Sequence, residues 1–315
     1  MNINVVALWR RLPVLVRALI VAFVVLNIGT TATVLPLIGN VKFHPEIPWA
    51  FPATLAILAV FWWYFTGGGW PSSTRELRRD VTRRQILSWP VWRVSLLAIA
   101  LSVMAVASFR LLLPSILPVD APTIPLDLTP IPMVTIVGLL ASLVVSAAVA
   151  EEVAFRGYLQ KPLEDAYGIV AALVVTGVGF WFAHIDKVSL SHLPFHMLSS
   201  ILLGLSAYLT RSLLPAIVGH ALGDALLQPA YVFHQPAFVW AALNAKPVWN
   251  HANAQTWGEK AVIVFQAVGP SHLLQPGPSQ TTAVLFWVFV VSLALSTLAL
   301  FVLARVTRQE RKAPV

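Results

Sequence analysis

Stretches of apolar residues long enough to cross a bilayer recur along this 315-residue chain, and they constrain its fold more than any other feature. In hydrocarbon every backbone N–H and C=O must be satisfied within the chain, so runs of roughly 20 apolar residues fold as helices. Eight such segments are legible, at 13–38, 48–66, 91–113, 132–152, 168–185, 194–210, 212–232 and 282–304. Composition agrees: 58% of residues are hydrophobic and only 11% charged, against about 25% charged in an ordinary soluble domain. The expected fold is all-α, a polytopic transmembrane helical bundle of about eight membrane-spanning helices.

Two stretches mark where spans end. The basic run Arg75-Glu76-Leu77-Arg78-Arg79-Asp80-Val81-Thr82-Arg83-Arg84 cannot lie in hydrocarbon, and the connector from Leu113-Pro114 to Pro132 carries six prolines, which preclude a regular helix. With eight spans both termini share one side. If that side is the cytoplasm, sixteen of the 21 Lys and Arg lie inside and five outside, as the positive-inside rule requires. The expectation is a multi-pass protein of the cell (inner or plasma) membrane with both termini cytoplasmic. The first span is too long for a signal-peptide core and reads as an anchor.

The net charge of +8 is spread in short clusters between apolar runs, which argues for topology signalling and against a nucleic-acid partner. There is no cysteine, so thiolate catalysis, disulfides and Cys-ligated metal are excluded. The organisation expected is 1–130 as three N-terminal helices with a basic cytoplasmic loop, 131–232 as a core of four helices, 233–281 as an extracytoplasmic loop, and 282–315 as a last helix with a basic tail. Trp240, Trp249 and Trp257 suit a loop that rests at headgroup level.

Ionisable side chains within spans are expensive and usually functional. Three clusters stand out: Glu151-Glu152-Val153-Ala154-Phe155-Arg156, Phe180-Trp181-Phe182-Ala183-His184, and His220-Ala221-Leu222-Gly223-Asp224. At about 100° per residue, Glu152 and Arg156 share a helix face and can pair, while Glu151 points about a quarter turn away. Phe180 and His184 share a face, as do His220 and Asp224. A turn is expected near Tyr167-Gly168. Glu151 lies 17 residues before Gly168 and His184 lies 16 after it, so an antiparallel hairpin would set them at similar height, with a kink at Pro162. His44, His192, His234, His251 and His272 are expected in loops and solvated. His196, near the start of a span, is a further candidate for the site.

These residues resemble the ordered motifs of the CPBP (CAAX protease and bacteriocin-processing) family, which includes the Ras-converting type of CAAX endopeptidase and the bacteriocin-immunity (Abi) proteins. The resemblance rests on Glu151-Glu152-x-x-x-Arg156, on Phe180-x-x-x-His184 and on His220-x-x-x-Asp224. Its context is Phe155-Arg156-Gly157-Tyr158-Leu159-Gln160 and the approach from Gly204 to His220, over about 135–230. Many relatives have Asn where this chain has Asp224.

The resemblance implies an intramembrane endopeptidase acting on a membrane-associated protein or peptide, with membrane lipid as its other partner. It implies Glu151 as the base that takes a proton from water, His184 orienting that water, and His220 stabilising the oxyanion with Asp224 beside it. An ionised Asp224 would fix the His220 tautomer. Glu152 and Arg156 would brace the helix or meet a substrate carboxylate, and Phe180 would wall the cavity. The cofactor is left open. Glu151, His184 and His220 would also suit a catalytic Zn²⁺ as in a metalloprotease, whereas a glutamate mechanism needs no metal. No His-Glu-x-x-His is present. The other readings are a proton- or ion-coupled transporter, against which the halves show no internal symmetry, and a non-catalytic immunity scaffold.

Overall fold

A computed structural model describes residues 5–117, 131–184, 190–234 and 279–311. The 118–130 part of the proline-rich connector, nearly all of the 233–281 segment with its tryptophans, and His251 and His272 lie outside the described residues, as does the side chain of His234. Among the described residues the fold is all helix. The elements are α1 (Val5–Arg11), α2 (Val14–Phe43), α3 (Ala50–Phe65), α4 (Arg75–Val81), α5 (Trp89–Ile116), α6 (Met133–Glu152), a π-helical segment (Val153–Gln160), α7 (Lys161–Phe182), α8 (Leu193–Thr210), α9 (Leu214–His234) and α10 (Ser279–Glu310).

Among the described residues, five helices or continuous helical runs are long and apolar enough to cross a membrane, so the predicted number of eight is not reached on length there. The difference lies in three places. Two expected spans are the shorter apolar helices Ala50–Phe65 and Leu214–Leu227. At 1.5 Å per residue, the 16 residues of α3 reach about 24 Å, less than the ~30 Å of a hydrocarbon core. Two further expected spans are joined in the continuous run Met133–Phe182. That run is not straight. Gly168 has φ 80° and ψ 168°, a conformation only glycine adopts without strain, and it breaks the helix at the predicted turn. The chain then folds back, because a Cβ on Gly179 would lie 3.3 Å from Leu159 Cδ2.

The chain is a multi-pass membrane protein by these features, and its surface agrees. Large apolar side chains face outward on every long helix, among them Val24, Ile28, Leu97, Val291, Leu298 and Phe301. In water such a surface would drive aggregation; against lipid it needs no partner.

Helix contacts inside the bundle use small residues and paired hydroxyls, as expected where lipid removes the hydrophobic drive to associate. A Cβ added to Gly29 of α2 would meet Ala150 Cβ of α6 at 2.7 Å, so α2 presses on the residue preceding Glu151. Ser102 of α5 and Ser296 of α10 share a hydrogen bond of 2.7 Å, and α10 packs along α5. The α2–α3 turn is held by Asn40, which is fully buried. Its amide donates to the His44 and Ile47 carbonyls at 2.6 and 2.8 Å, and its oxygen accepts from Ala50 N at 2.9 Å.

The basic run is not a free loop. Arg78 is buried with its guanidinium 4.4 Å from the Tyr64 ring centre, and it donates to the carbonyls of Tyr64, Gly68 and Pro71. Arg83 pairs with Glu164 at 2.5 Å, with both side chains under a tenth exposed. Glu164 also accepts from Gln160 at 2.6 Å, and Gln160 donates to the Gly204 carbonyl of α8 at 3.0 Å. The segment carrying α4 therefore clamps the end of the hairpin against α8.

Because Ala150 cannot rotate away from a new side chain, Gly29→Leu is expected to destabilise the fold by about 1–3 kcal/mol, read as a lower thermal midpoint in detergent. A loss near zero would show that α2 does not press on α6.

Candidate active site

Three elements carry the predicted site residues, and the structure brings them together. α6 ends on Glu151 and Glu152, α7 ends just before His184, and α9 carries His220 six residues after its first residue, Leu214. That places His220 about 9 Å along the helix from its start. The hairpin matches the heights as the spacing predicts: His184 Nε2 stands 3.8 Å from Glu151 Oε1. His220 Nε2 stands 3.8 Å from the other oxygen, Glu151 Oε2. One carboxylate is thus flanked by two imidazoles, one at each oxygen. Its side chain is 12% exposed, so it is screened from lipid without being sealed off.

Neither 3.8 Å gap is a direct hydrogen bond, and gaps of this size between polar atoms are the ones a water spans. His184 Nδ1 lies 2.8 Å from the Phe180 carbonyl, an acceptor, so Nδ1 carries the proton. That leaves Nε2 turned to Glu151. In the neutral ring this nitrogen accepts, and a water between it and Glu151 would donate to both.

His220 is oriented by a residue expected to play another part. Its Nδ1 lies 2.7 Å from Glu152 Oε1, and the same oxygen accepts from Arg156 Nη1 at 2.8 Å. Glu152 and Arg156 form the predicted pair, with both side chains 0% exposed. The predicted tautomer-fixing contact of Asp224 with His220 is instead made by Glu152. Asp224 Oδ2 approaches His220 Nε2 at 3.7 Å, on the nitrogen that also faces Glu151. The physical reason is the helix: Asp224 lies one turn along α9 from His220 and reaches the outward nitrogen, while α6 lies on the ring's inner side.

Phe180 sits among the rings, with centroids 5.1 Å from His184, 5.5 Å from His196 and 6.0 Å from His220. Arg156 lies 4.9 Å from the Phe180 ring centre, so the aromatic face also covers the buried guanidinium.

α8 contributes more than expected. His196 stacks on His184 with centroids 4.9 Å apart and planes at 25°, and it is 6% exposed. His192, expected in a solvated loop, is 1% exposed, because a 3₁₀ turn at Leu190–His192 carries it onto the bundle. His192, His196 and Ser200 recur at four-residue spacing and are all buried, a polar stripe that could have marked this face of α8. His44 is exposed and pairs with Glu46.

Glu151, His184 and His220 are neighbours, yet among the described residues no three His, Asp or Glu side chains converge in the arrangement of a metal centre. One His220 nitrogen is taken by Glu152, and the other faces both Glu151 and Asp224.

The bundle thus buries carboxylates against imidazoles around one partly accessible glutamate, a set of groups able to take up and release protons. Comparison with known proteins narrows this. Residues 132–226 match the Rce1-like family model, described as type II CAAX prenyl endopeptidase Rce1-like. This segment is a domain of the CPBP, or CAAX-protease, type, a family of intramembrane endopeptidases. It holds all three motifs. No curated protein matches the chain, and no solved structure does.

Breaking a fully buried ion pair strands a charge. Arg156→Met is expected to lower stability by about 3–5 kcal/mol in equilibrium unfolding, and the double substitution with Glu152→Gln to lose less than Arg156→Met alone. A double variant as unstable as the sum of its parts would contradict the pairing.

Proposed function

We propose that the chain hydrolyses a peptide bond of a membrane-associated substrate with a water activated by Glu151. The observation that carries this reading is the Glu151 carboxylate with an imidazole Nε2 3.8 Å from each oxygen.

In this reading a water occupies the gap between Glu151 Oε1 and His184 Nε2, with the scissile carbonyl beside His220. Glu151 takes one proton as the water oxygen bonds to the carbonyl carbon. The carbonyl π pair moves onto oxygen, and His220, protonated on both nitrogens between Glu152 on one side and Glu151 and Asp224 on the other, donates from Nε2–H to the oxyanion that forms. When the tetrahedral intermediate collapses, the C–N bond breaks and Glu151 returns its proton to the leaving amine, so the enzyme ends as it began. Glu152 acts through His220: by holding Nδ1 it aims Nε2 at the reacting oxygen. Arg156 holds Glu152 in place through their 2.8 Å ion pair. Asp224 stands beside Nε2 and restrains the ring from the substrate side. His184, held by the Phe180 carbonyl, orients the water.

The 131–232 segment is the catalytic core in this reading, and the basic end of the bundle faces the cytoplasm. The basic clusters at that end support the orientation. The substrate is a peptide that approaches from, or is tethered to, the membrane.

Three measurements test the mechanism with the protein in proteoliposomes and a membrane-tethered peptide. Glu151→Gln keeps the shape and removes the base, so kcat is expected to fall about 10²–10⁴-fold with an unchanged thermal midpoint; activity within twofold of wild type would remove Glu151 from its role. His220→Phe should cost about 10²–10³-fold in kcat, the loss seen when one oxyanion donor is removed. Dialysis against a chelator should leave the rate unchanged, and a loss restored by added Zn²⁺ would replace the metal-free route.

A further inference from the structure

At the basic end of the bundle, away from Glu151, the start of α5, the end of α8 and the end of α10 line a partly open cavity of about 170 Å³. Its polar lining includes Gln85, Ser88, Thr210, Arg211, Glu310 and Arg311. Nothing in the peptidase reading uses these residues. We propose that this cavity binds the phosphate of an anionic phospholipid headgroup.

Three features point to an anion. Two arginines, at the ends of different helices, line one partly open space. Arg211 follows the last residue of α8 with φ 53°, a left-handed conformation that turns the chain sharply between α8 and α9. Arg311 follows α10, and its guanidinium is anchored by donating from Nε to the Thr307 carbonyl at 2.9 Å. The α5 amino terminus opens on the same space. Ser88 caps it, its Oγ accepting from Val91 N at 3.4 Å. Pro90 has no N–H and those of Val91 and Trp92 bond Ser88, so what this helix start adds is the positive end of the dipole.

The third feature is an internal carboxylate at the same spot. The Ser88 hydroxyl also donates to Glu310 Oε1, so the cavity already holds one negative group on a flexible side chain at the end of α10. An anionic ligand with more acceptor oxygens would compete with it for Ser88 and the arginines.

Depth favours a lipid over a soluble phosphate. Ile86 and Trp89, beside the cavity, are 93% and 68% exposed. An exposed Trp next to an exposed Ile at the start of a spanning helix sits at headgroup level. Basic cavities between helices at that level are where anionic headgroups bind. Arg308, in the last turn of α10, adds to the local positive charge.

The test uses the full chain in detergent, titrated with phosphatidylglycerol, phosphatidylcholine or inorganic phosphate, and follows the thermal midpoint. Phosphatidylglycerol should raise the midpoint, and phosphatidylcholine should have little effect. Arg211→Gln and Arg311→Gln, singly, should each shift the phosphatidylglycerol half-point about tenfold or more to higher concentration, as the loss of a charge-assisted hydrogen bond implies. Glu310→Gln, which removes the competitor, should shift it the other way. Arg10→Gln is the control and should leave it unchanged.

Native mass spectrometry of the same variants, counting retained lipid, keeps the test valid if a variant's own midpoint falls. An unshifted half-point in both arginine variants, or an equal response to phosphatidylcholine, would overturn the proposal. A rise with inorganic phosphate matching that with phosphatidylglycerol would overturn its assignment to lipid. None of these readouts involves peptidase activity.

Discussion

One oxygen organises the buried centre of this protein. Glu152 Oε1 accepts from Arg156 at 2.8 Å and lies 2.7 Å from His220 Nδ1, and both charged side chains are closed to solvent. A carboxylate taken out of water is tolerated only when paired, and here one pair also reaches a third element. Arg156 holds Glu152, Glu152 holds His220, and the π-helical segment and α9 are thereby tied to the end of α6. The ring of Phe180 closes the guanidinium from the other side. Removing any member leaves a charge or a polar nitrogen stranded in apolar surroundings, so the arrangement fixes geometry as well as charge.

The geometry so fixed bears on Glu151. A residue adjacent in sequence to a fully buried glutamate must point elsewhere on the helix, and it points toward Nε2 of both imidazoles. Glu152 is thus bound and structural, whereas Glu151 has a gap of 3.8 Å on each side. The hairpin at Gly168 supplies His184 at the right height, and Gly29 lets α2 press against Ala150 immediately before the pair. The segment of α4 clamps the hairpin from the basic end through Arg83 and Glu164.

Much of this was legible because polar residues in apolar segments carry a penalty that must be met. The three clusters, their pairing at four-residue spacing, and the turn at Gly168 follow from that penalty and from helix geometry. The contact of Glu152 with His220 did not follow. Face arithmetic within one helix says which residues share a side, but not which neighbouring helix lies on it. It also assumes 100° per residue, and Val153–Gln160 is wound as a π-helix. Pro162 lacks the N–H that would bond the Tyr158 carbonyl, and the widened turns precede it, where a simple kink was expected. The burial of His192 was hidden because a boundary between loop and helix is read poorly from hydropathy. The length of α3 escaped for a related reason: apolar runs extend past the helix that they form.

In the proposed mechanism Glu151 and His184 act together on one water, and a double-mutant cycle measures that coupling. kcat/KM for a membrane-tethered peptide would be determined in proteoliposomes for wild type, Glu151→Gln, His184→Ala and the pair. Residues sharing one water fail together, so the double variant should be about as slow as the slower single variant. Independent effects, with the two losses multiplying in the double variant, would contradict a shared water and the account built on it.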